Sequence, residues 1–186
     1  MPVRFRREET IFLLIDVQER LLPSIEDPEA VVQNGLRLLK AASVLSLPVF
    51  YTEQYPRGIG PMVGPLTENL PASATRLEKT AFSCCDEPGF TESLRNLKRP
   101  TIVLFGIETH ICVLSTAMDL LNEGYGIVLA ADACGSRRGD HHAAALETLR
   151  SCGALAVPTE TVIYRLLGRS GTPEFKALLP LFKAGS

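Results

Sequence analysis

The sequence has no apolar run near the roughly 20 residues that a membrane-spanning helix requires. Its first residues are charged, and Asp16 interrupts the early run IFLLI before it reaches the length of a signal peptide. Neither GxGxxG nor GxxxxGK[ST], the patterns that cradle phosphates, follows any predicted strand. The sequence therefore predicts no membrane partner, no secretion and no nucleotide-binding loop.

A strong charge imbalance is also lacking. The formal net charge is −2 and the isoelectric point is near 6.0, so no basic footprint predicts binding to nucleic acid. The five cysteines cannot all pair within one chain, and none stands in a CxxC or zinc-type spacing. This cysteine usage predicts a reducing compartment, with the cytoplasm as the expected location.

The pattern that is present alternates short apolar runs with helical segments. At 186 residues and 46% hydrophobic, the chain suits a single domain over residues 1–186. Strands separated by helices predict parallel pairing through right-handed crossovers, hence an open doubly wound α/β sheet. The predicted strands are Thr10–Ile15, Pro48–Thr52, Thr75–Glu78, Thr101–Phe105, Gly126–Ala130 and Ala154–Val157. Between the second and third, Glu53 to Pro65 is rich in glycine and proline and predicts a loop without helix or strand.

The stretch from Thr101 to Gly124 is the most informative. TIVLF is typical of a buried parallel strand, Gly106 ends it, and an i, i+3, i+4 apolar stripe begins at Ile111. Cys112 is therefore predicted in the first turn of a helix, where free N–H groups and the dipole can lower a thiol pKa. The alternative is a small buried thiol that only fills space.

Two further charged residues follow predicted strands. Asp16 follows the first strand and Lys79 the third. Because parallel strands end at one edge of the sheet, Asp16, Lys79 and Cys112 are expected to meet there. A carboxylate beside a thiol can take its proton and return it to a leaving group, while an ammonium would orient the carboxylate and stabilise a thiolate.

Other interpretations of these residues remain open. Taken singly, Asp16 could cap a turn and Lys79 could be a surface lysine. His110 competes as the base, but two residues along a helix is about 200° of rotation, which would point its ring away from Cys112. The adjacent Cys84 and Cys85 could serve redox chemistry, although packing is the simpler interpretation.

Three motifs resemble those of one family. Asp16 in LLIDVQ, Lys79 in LEKTAFS and Cys112 in FGIETHICV are similar to the Asp, Lys, Cys triad of the isochorismatase-like cysteine hydrolases, in particular its isochorismatase-domain-containing subgroup. The resemblance implies a three-layer α/β/α sandwich with a six-stranded parallel sheet and a homo-oligomer. It also implies a cis peptide between Ile107 and Glu108, with the N–H groups of Ile111 and Cys112, or of a nearby residue, aimed at an oxyanion.

The resemblance narrows the expected chemistry. Metal-dependent nicotinamidases have an Asp and two His after the second strand, whereas this chain has Glu53 and Gln54 and no histidine there, so neither metal nor cofactor is expected. Retention of Cys112 favours attack on a carbonyl, hence hydrolysis of a small-molecule amide through a thioester. Gln54, Tyr55 and Phe82 are the predicted pocket residues. The alternatives are ether or ester hydrolysis by Asp16 alone, a non-catalytic binding scaffold, and a redox sensor.

Overall fold

Six parallel strands form one sheet in the order β3-β2-β1-β4-β5-β6, with helices on both sides. This computed structural model describes residues 6–183, so residues 1–5 and 184–186 of the expected domain lie outside the described part. The predicted three-layer α/β/α architecture is confirmed. The strands are β1 Thr10–Ile15, β2 Val49–Gln54, β3 Thr75–Lys79, β4 Thr101–Ile107, β5 Gly126–Gly135 and β6 Leu155–Val157.

The helices connect these strands. They are α1 Pro28–Leu45, α2 Pro56–Ile59, α3 Gly64–Thr67, α4 Phe90–Asn96, α5 Leu114–Asn122, α6 Gly139–Ser151, α7 Thr159–Leu167 and α8 Pro173–Leu178. None of the helices between residues 6 and 183 is long and apolar enough to cross a bilayer. Within the same residues, no three His, Cys, Asp or Glu side chains converge as metal ligands would.

The two central strands, β1 and β4, determine where the site lies. Every residue of both strands is buried, as expected for parallel strands covered on both faces, and they pair from Thr10 opposite Thr101 to Ile15 opposite Gly106. From β1 the chain proceeds to β2 on one side, and from β4 it proceeds to β5 on the other. The carboxyl ends of β1 and β4 therefore form the topological switch point, where ligands bind in such sheets.

The segment from Glu53 to Pro65 differs from its prediction as an irregular loop. Strand β2 extends to Gln54, and α2 and α3 each have a proline in the first turn. Proline is favoured there because a first-turn N–H has no acceptor within the helix, so its absence costs no hydrogen bond. Backbone hydrogen bonds hold the segment against residues 17–20, including Val63 N–H to the Val17 carbonyl at 3.0 Å. This segment is therefore structured and fixed to the chain that follows β1.

Candidate active site

Asp16 is the first residue beyond β1 and is completely buried. Its φ of 51° is left-handed, a conformation that Asp tolerates better than most side chains, and it turns the chain away from the strand. The hydroxyl of Thr52, at the end of β2, donates to Oδ1 of Asp16 at 2.6 Å. The neighbouring strand therefore fixes the orientation of the carboxylate.

Gly106 allows β4 to approach β1 closely at this point. Its φ is +121°, and a Cβ atom there would lie 2.1 Å from the carbonyl oxygen of Ile15. No side chain fits between the two backbones. The glycine that follows the TIVLF run therefore lets β4, which leads to Cys112, pack closely against β1, which leads to Asp16.

Lys79 ends the edge strand β3 and is buried with Asp16. Its Nζ lies 2.7 Å from Oδ2 of Asp16, and both side chains are 0% exposed. Oδ2 accepts no regular hydrogen bond among the described residues, so this ion-pair contact is its principal interaction. Nζ also donates to Oε1 of Gln54 at 2.6 Å and to the carbonyl of Ala81 at 3.1 Å. Burial, the largest single influence, favours the neutral amine, but the charge and close contact of Asp16, together with the neighbouring Cys112, outweigh burial and raise the pKa of Lys79.

Cys112 lies next to this pair, in a single π turn, Thr109–Val113, that precedes α5. The thiol is 6% exposed. Burial, followed by the charge of Asp16, raises the pKa of Cys112 to about 12, although Lys79 opposes the effect. The expected lowering of this pKa by a helix N-terminus is therefore wrong. Desolvation and the neighbouring carboxylate both favour the protonated thiol.

The backbone before Cys112 has a distinctive arrangement. The peptide bond between Ile107 and Glu108 is cis. The carbonyl oxygen of Glu108 accepts from the N–H of Ile111 at 3.1 Å and from that of Val113 at 3.2 Å. In this conformation the Ile111 N–H is therefore already used, contrary to its predicted availability for an oxyanion.

The three predicted pocket residues occupy different places. Gln54 is half-buried and uses its side chain to hold Lys79 and the carbonyl of Thr80, the latter at 2.8 Å. Tyr55 and Phe82 flank the site on the surface, where they are 55% and 63% exposed. The structure thus gives Gln54 a supporting role beside Lys79. A role for Tyr55 and Phe82 toward a substrate stays a prediction.

The competing residues have other partners. Nδ1 of His110 lies 2.9 Å from Oγ of Ser136, on the segment after β5. Cys84 is fully buried and burial raises its pKa to about 12, which suits packing. Cys85 is half-buried, and all five cysteines are free thiols.

Two residues that support the site were not predicted. Thr52 orients Asp16. The sequence feature that could have indicated this role is its position as the last residue of the predicted strand Pro48–Thr52. Gln18 is fully buried, donates from Nε2 to the carbonyls of Gln54 and Gly60 at 3.0 and 2.6 Å, and accepts from the Gln54 N–H at 2.7 Å. Gln18 therefore joins the end of β2 to Gly60 in the segment from Glu53 to Pro65. In the sequence, only its place in the motif IDVQ could have indicated this role.

Comparison with known proteins identifies the family. Residues 10–161 match the model of the Isochorismatase domain. The chain belongs to this family. It is 39% identical over 168 residues to isochorismatase domain-containing protein 2 of Xenopus laevis, covering 90% of this chain and 80% of the relative. It is 36% identical over 182 residues to protein 2A of Mus musculus, covering 97% and 85%. The family recognition made from the three motifs is confirmed.

Solved structures show the same fold for this isochorismatase-family chain. The MAR1 ribonuclease of Caenorhabditis elegans superposes with a TM-score of 0.93 at 33% identity, covering 98% of this chain and 94% of the other. The YcaC gene product of Escherichia coli, described as an octameric hydrolase of unknown specificity, gives a TM-score of 0.89 at 24% identity, covering 97% and 89%. The family is one of hydrolases, which confirms the general class of the predicted activity.

Proposed function

We propose that this protein hydrolyses a small amide-type C–N bond through a thioester on Cys112, without a metal ion. The observation that carries the proposal is the buried Asp16–Lys79 ion pair beside the thiol, with Nζ 2.7 Å from Oδ2. In a site closed to bulk water, a proton can pass from the thiol to this carboxylate and later to a leaving amine.

The reaction proceeds in two halves. Asp16 takes the proton of the Cys112 thiol as sulfur attacks the carbonyl carbon, and the negative charge moves onto the carbonyl oxygen. Because the Ile111 N–H is bonded to Glu108, we assign the N–H of Cys112 as the donor to this oxyanion. Asp16 then gives its proton to the departing amine, leaving a thioester. In the second half Asp16 takes a proton from water, and the resulting hydroxide adds to the thioester carbonyl. The C–S bond then breaks, the acid is released, and Asp16 returns the proton to the sulfur of Cys112.

Lys79 has an electrostatic role in this scheme. Its raised pKa keeps the ammonium charged, and Nζ pairs with Oδ2 of Asp16 at 2.7 Å and orients that carboxylate. A carboxylate can act as base toward the thiol, whereas ether hydrolysis by Asp16 alone must begin with a protonated acid. The ion pair therefore favours the thioester route over the ether route.

The test is a screen of small amides for ammonia or amine release, with intact-mass detection of an acyl group on the enzyme. Cys112→Ala should abolish both turnover and acylation. Cys152→Ala is the matched control because Cys152 is an exposed free thiol, and this variant should keep full activity. Turnover that survives Cys112→Ala would refute the thioester and favour Asp16-only ether or ester cleavage. If no amide is turned over and no acyl group forms, the binding-scaffold alternative is favoured. RNA belongs in the same panel because the nematode relative is called a ribonuclease.

We also propose a homo-oligomer in a reducing compartment, the cytoplasm. The E. coli neighbour is described as octameric, and five free thiols suit reducing conditions. Light scattering coupled to size-exclusion chromatography should give a mass of at least twice the 20.3 kDa of one chain. A monomer at micromolar concentration would contradict the first proposal.

A further inference from the structure

Three consecutive side chains just before Cys112 are bonded to one short segment of chain. The segment, residues 136–142, comprises the three residues between β5 and α6 and the first turn of α6. The three contacts are Glu108 with Arg137, Thr109 Oγ1 with His142 Nδ1 at 2.9 Å, and His110 Nδ1 with Ser136 Oγ at 2.9 Å. The turn that presents the thiol is therefore held from outside by residues that are not members of the catalytic group.

The contact between Glu108 and Arg137 is the most extensive of the three. Oε1 of Glu108 accepts from the terminal nitrogen and Nε of Arg137 at 2.7 and 3.1 Å, and Oε2 accepts from the Arg137 backbone N–H at 3.0 Å. Glu108 is 7% exposed. Burial would raise its pKa, but the hydrogen bonds from Arg137 outweigh burial and lower the pKa of Glu108. The planar fork of arginine thus fixes a buried carboxylate in one orientation.

Glu108 is also the backbone anchor of the turn. Its carbonyl oxygen accepts from the N–H groups of Ile111 and Val113, the two residues that flank Cys112. The same residue therefore joins Arg137 through its side chain and the thiol-bearing turn through its main chain. The side-chain contact therefore restrains the residue whose carbonyl anchors the turn.

We propose that Arg137 is a positioning residue for the reaction, which fixes Glu108 so that the Thr109–Val113 turn holds the Cys112 thiol against Asp16. This inference rests on the proposed function, since it assigns Arg137 a task only if Cys112 is the nucleophile. Arg137 makes no recorded contact with Asp16, Lys79 or Cys112 within residues 6–183, so it acts only through the turn.

The adjacent arginine supplies a matched control. Arg138 forms a similar two-nitrogen contact with Asp140, Nε to Oδ1 at 2.9 Å and the terminal nitrogen to Oδ2 at 2.6 Å. Both of these side chains are exposed, and the pair lies outside the thiol-bearing turn. Arg138→Gln removes a guanidinium one position along the chain, as Arg137→Gln does, but leaves the contacts of Glu108 intact.

The test compares Arg137→Gln, Arg137→Lys and Arg138→Gln with the unmodified protein. The rate of iodoacetamide alkylation at Cys112 is measured by peptide mass spectrometry as a ratio to that at the exposed Cys152 of the same molecule. The range from about pH 7.5 to 10 lies above the titration of His110 and His142, because burial lowers the pKa of each imidazole below its ordinary value of 6.5. Thermal melting of each variant reports its stability separately.

Arg137→Gln should shift the pH profile of Cys112 alkylation toward that of Cys152. The ratio of the Cys112 rate to the Cys152 rate should rise by about tenfold, the equivalent of one pKa unit. Arg137→Lys should lie between, because an ammonium cannot form the fork, and it provides the measurement if the glutamine variant does not fold. Arg138→Gln should leave the ratio unchanged. If the Arg137 variants only lower the melting temperature and keep the original ratio, the positioning role is refuted and the proposed function stands. If the unmodified protein already shows identical profiles at Cys112 and Cys152, the coupling of the thiol to Asp16 fails, and both proposals fall.

Discussion

Replacement of Lys79 by methionine tests the central ion pair most directly. Methionine has nearly the same length and shape, so Lys79→Met removes the ammonium with little change in packing. The Asp16 carboxylate would then stay buried with only the Thr52 hydroxyl as its hydrogen-bond donor, since Oδ2 has no regular donor of its own. The variant therefore isolates the cost of an uncompensated charge in the core.

The structure sets the expected magnitude. Exposed ion pairs are worth about 0 to 1 kcal/mol, whereas removal of one partner of a buried pair costs about 3 to 5 kcal/mol. Both side chains here are 0% exposed, so the larger range applies. Asp16→Asn should cost less than Lys79→Met, because Nζ keeps three acceptors, Oε1 of Gln54 and the carbonyls of Ala81 and Phe82. The double variant should be more stable than the sum of the two losses predicts, by about 2 kcal/mol or more.

Urea unfolding followed by circular dichroism gives the four free energies of the cycle, since the chain contains no tryptophan for fluorescence. The unmodified protein and Arg138→Gln, which breaks an exposed pair, should unfold at the same midpoint. A loss below about 1 kcal/mol for Lys79→Met would show that the pair behaves as a solvated one. That result would remove the physical basis for Lys79 as the group that holds Asp16 charged.

Two further predictions concern stability. Gly106→Ala should destabilise the fold by about 3 kcal/mol more than Gly153→Ala. Both positions have positive φ, but only at Gly106 would the added Cβ lie against backbone atoms. Equal losses of unfolding free energy, measured in urea, would disprove the close approach of β1 and β4. Burial raises the pKa of Cys84 and Cys134 from 9.0 to about 12, so the folded state keeps protons that the unfolded state releases at high pH. The contribution of these neutral thiols to the free energy of unfolding should therefore be fully present below about pH 9. Above pH 9 it should fall, by about 1 kcal/mol per thiol at pH 10. Urea midpoints against pH should decline less steeply in Cys134→Ala and as before in the exposed-thiol control Cys152→Ala, and a midpoint that rises above pH 9 would reverse the sign of the argument.

The sequence predicts the positions of the triad residues because strand ends are visible in it. Asp16 directly follows the apolar strand β1, Lys79 ends the less apolar strand β3, and Cys112 lies in the turn that follows the apolar strand β4. Their meeting then depends only on parallel topology, which the alternation of strands and helices predicts. No contact between individual side chains is needed for this step.

What the sequence does not show is the state of the thiol and the partners that hold it. A local rule, the dipole of one helix, predicts a lowered pKa for Cys112, but desolvation and a carboxylate distant in sequence have the opposite and larger effect. The contact between Glu108 and Arg137 likewise joins residues 29 positions apart, with no spacing pattern to reveal it. Long-range contacts decide both properties, so they become visible only in the folded chain.

The raised thiol pKa is consistent with the proposed thioester route once the charge of the whole site is followed through that proposed reaction. At rest the site holds one ammonium, one carboxylate and one neutral thiol, so the buried charges cancel. During attack the proton neutralises Asp16 while the negative charge moves through sulfur to the carbonyl oxygen, so the total again cancels against Lys79. A standing thiolate beside Asp16 would instead bury two anions with one cation, which costs several kcal/mol in a medium of low dielectric. Lys79 is therefore needed in both states, and a neutral resting thiol is what allows one lysine to be sufficient.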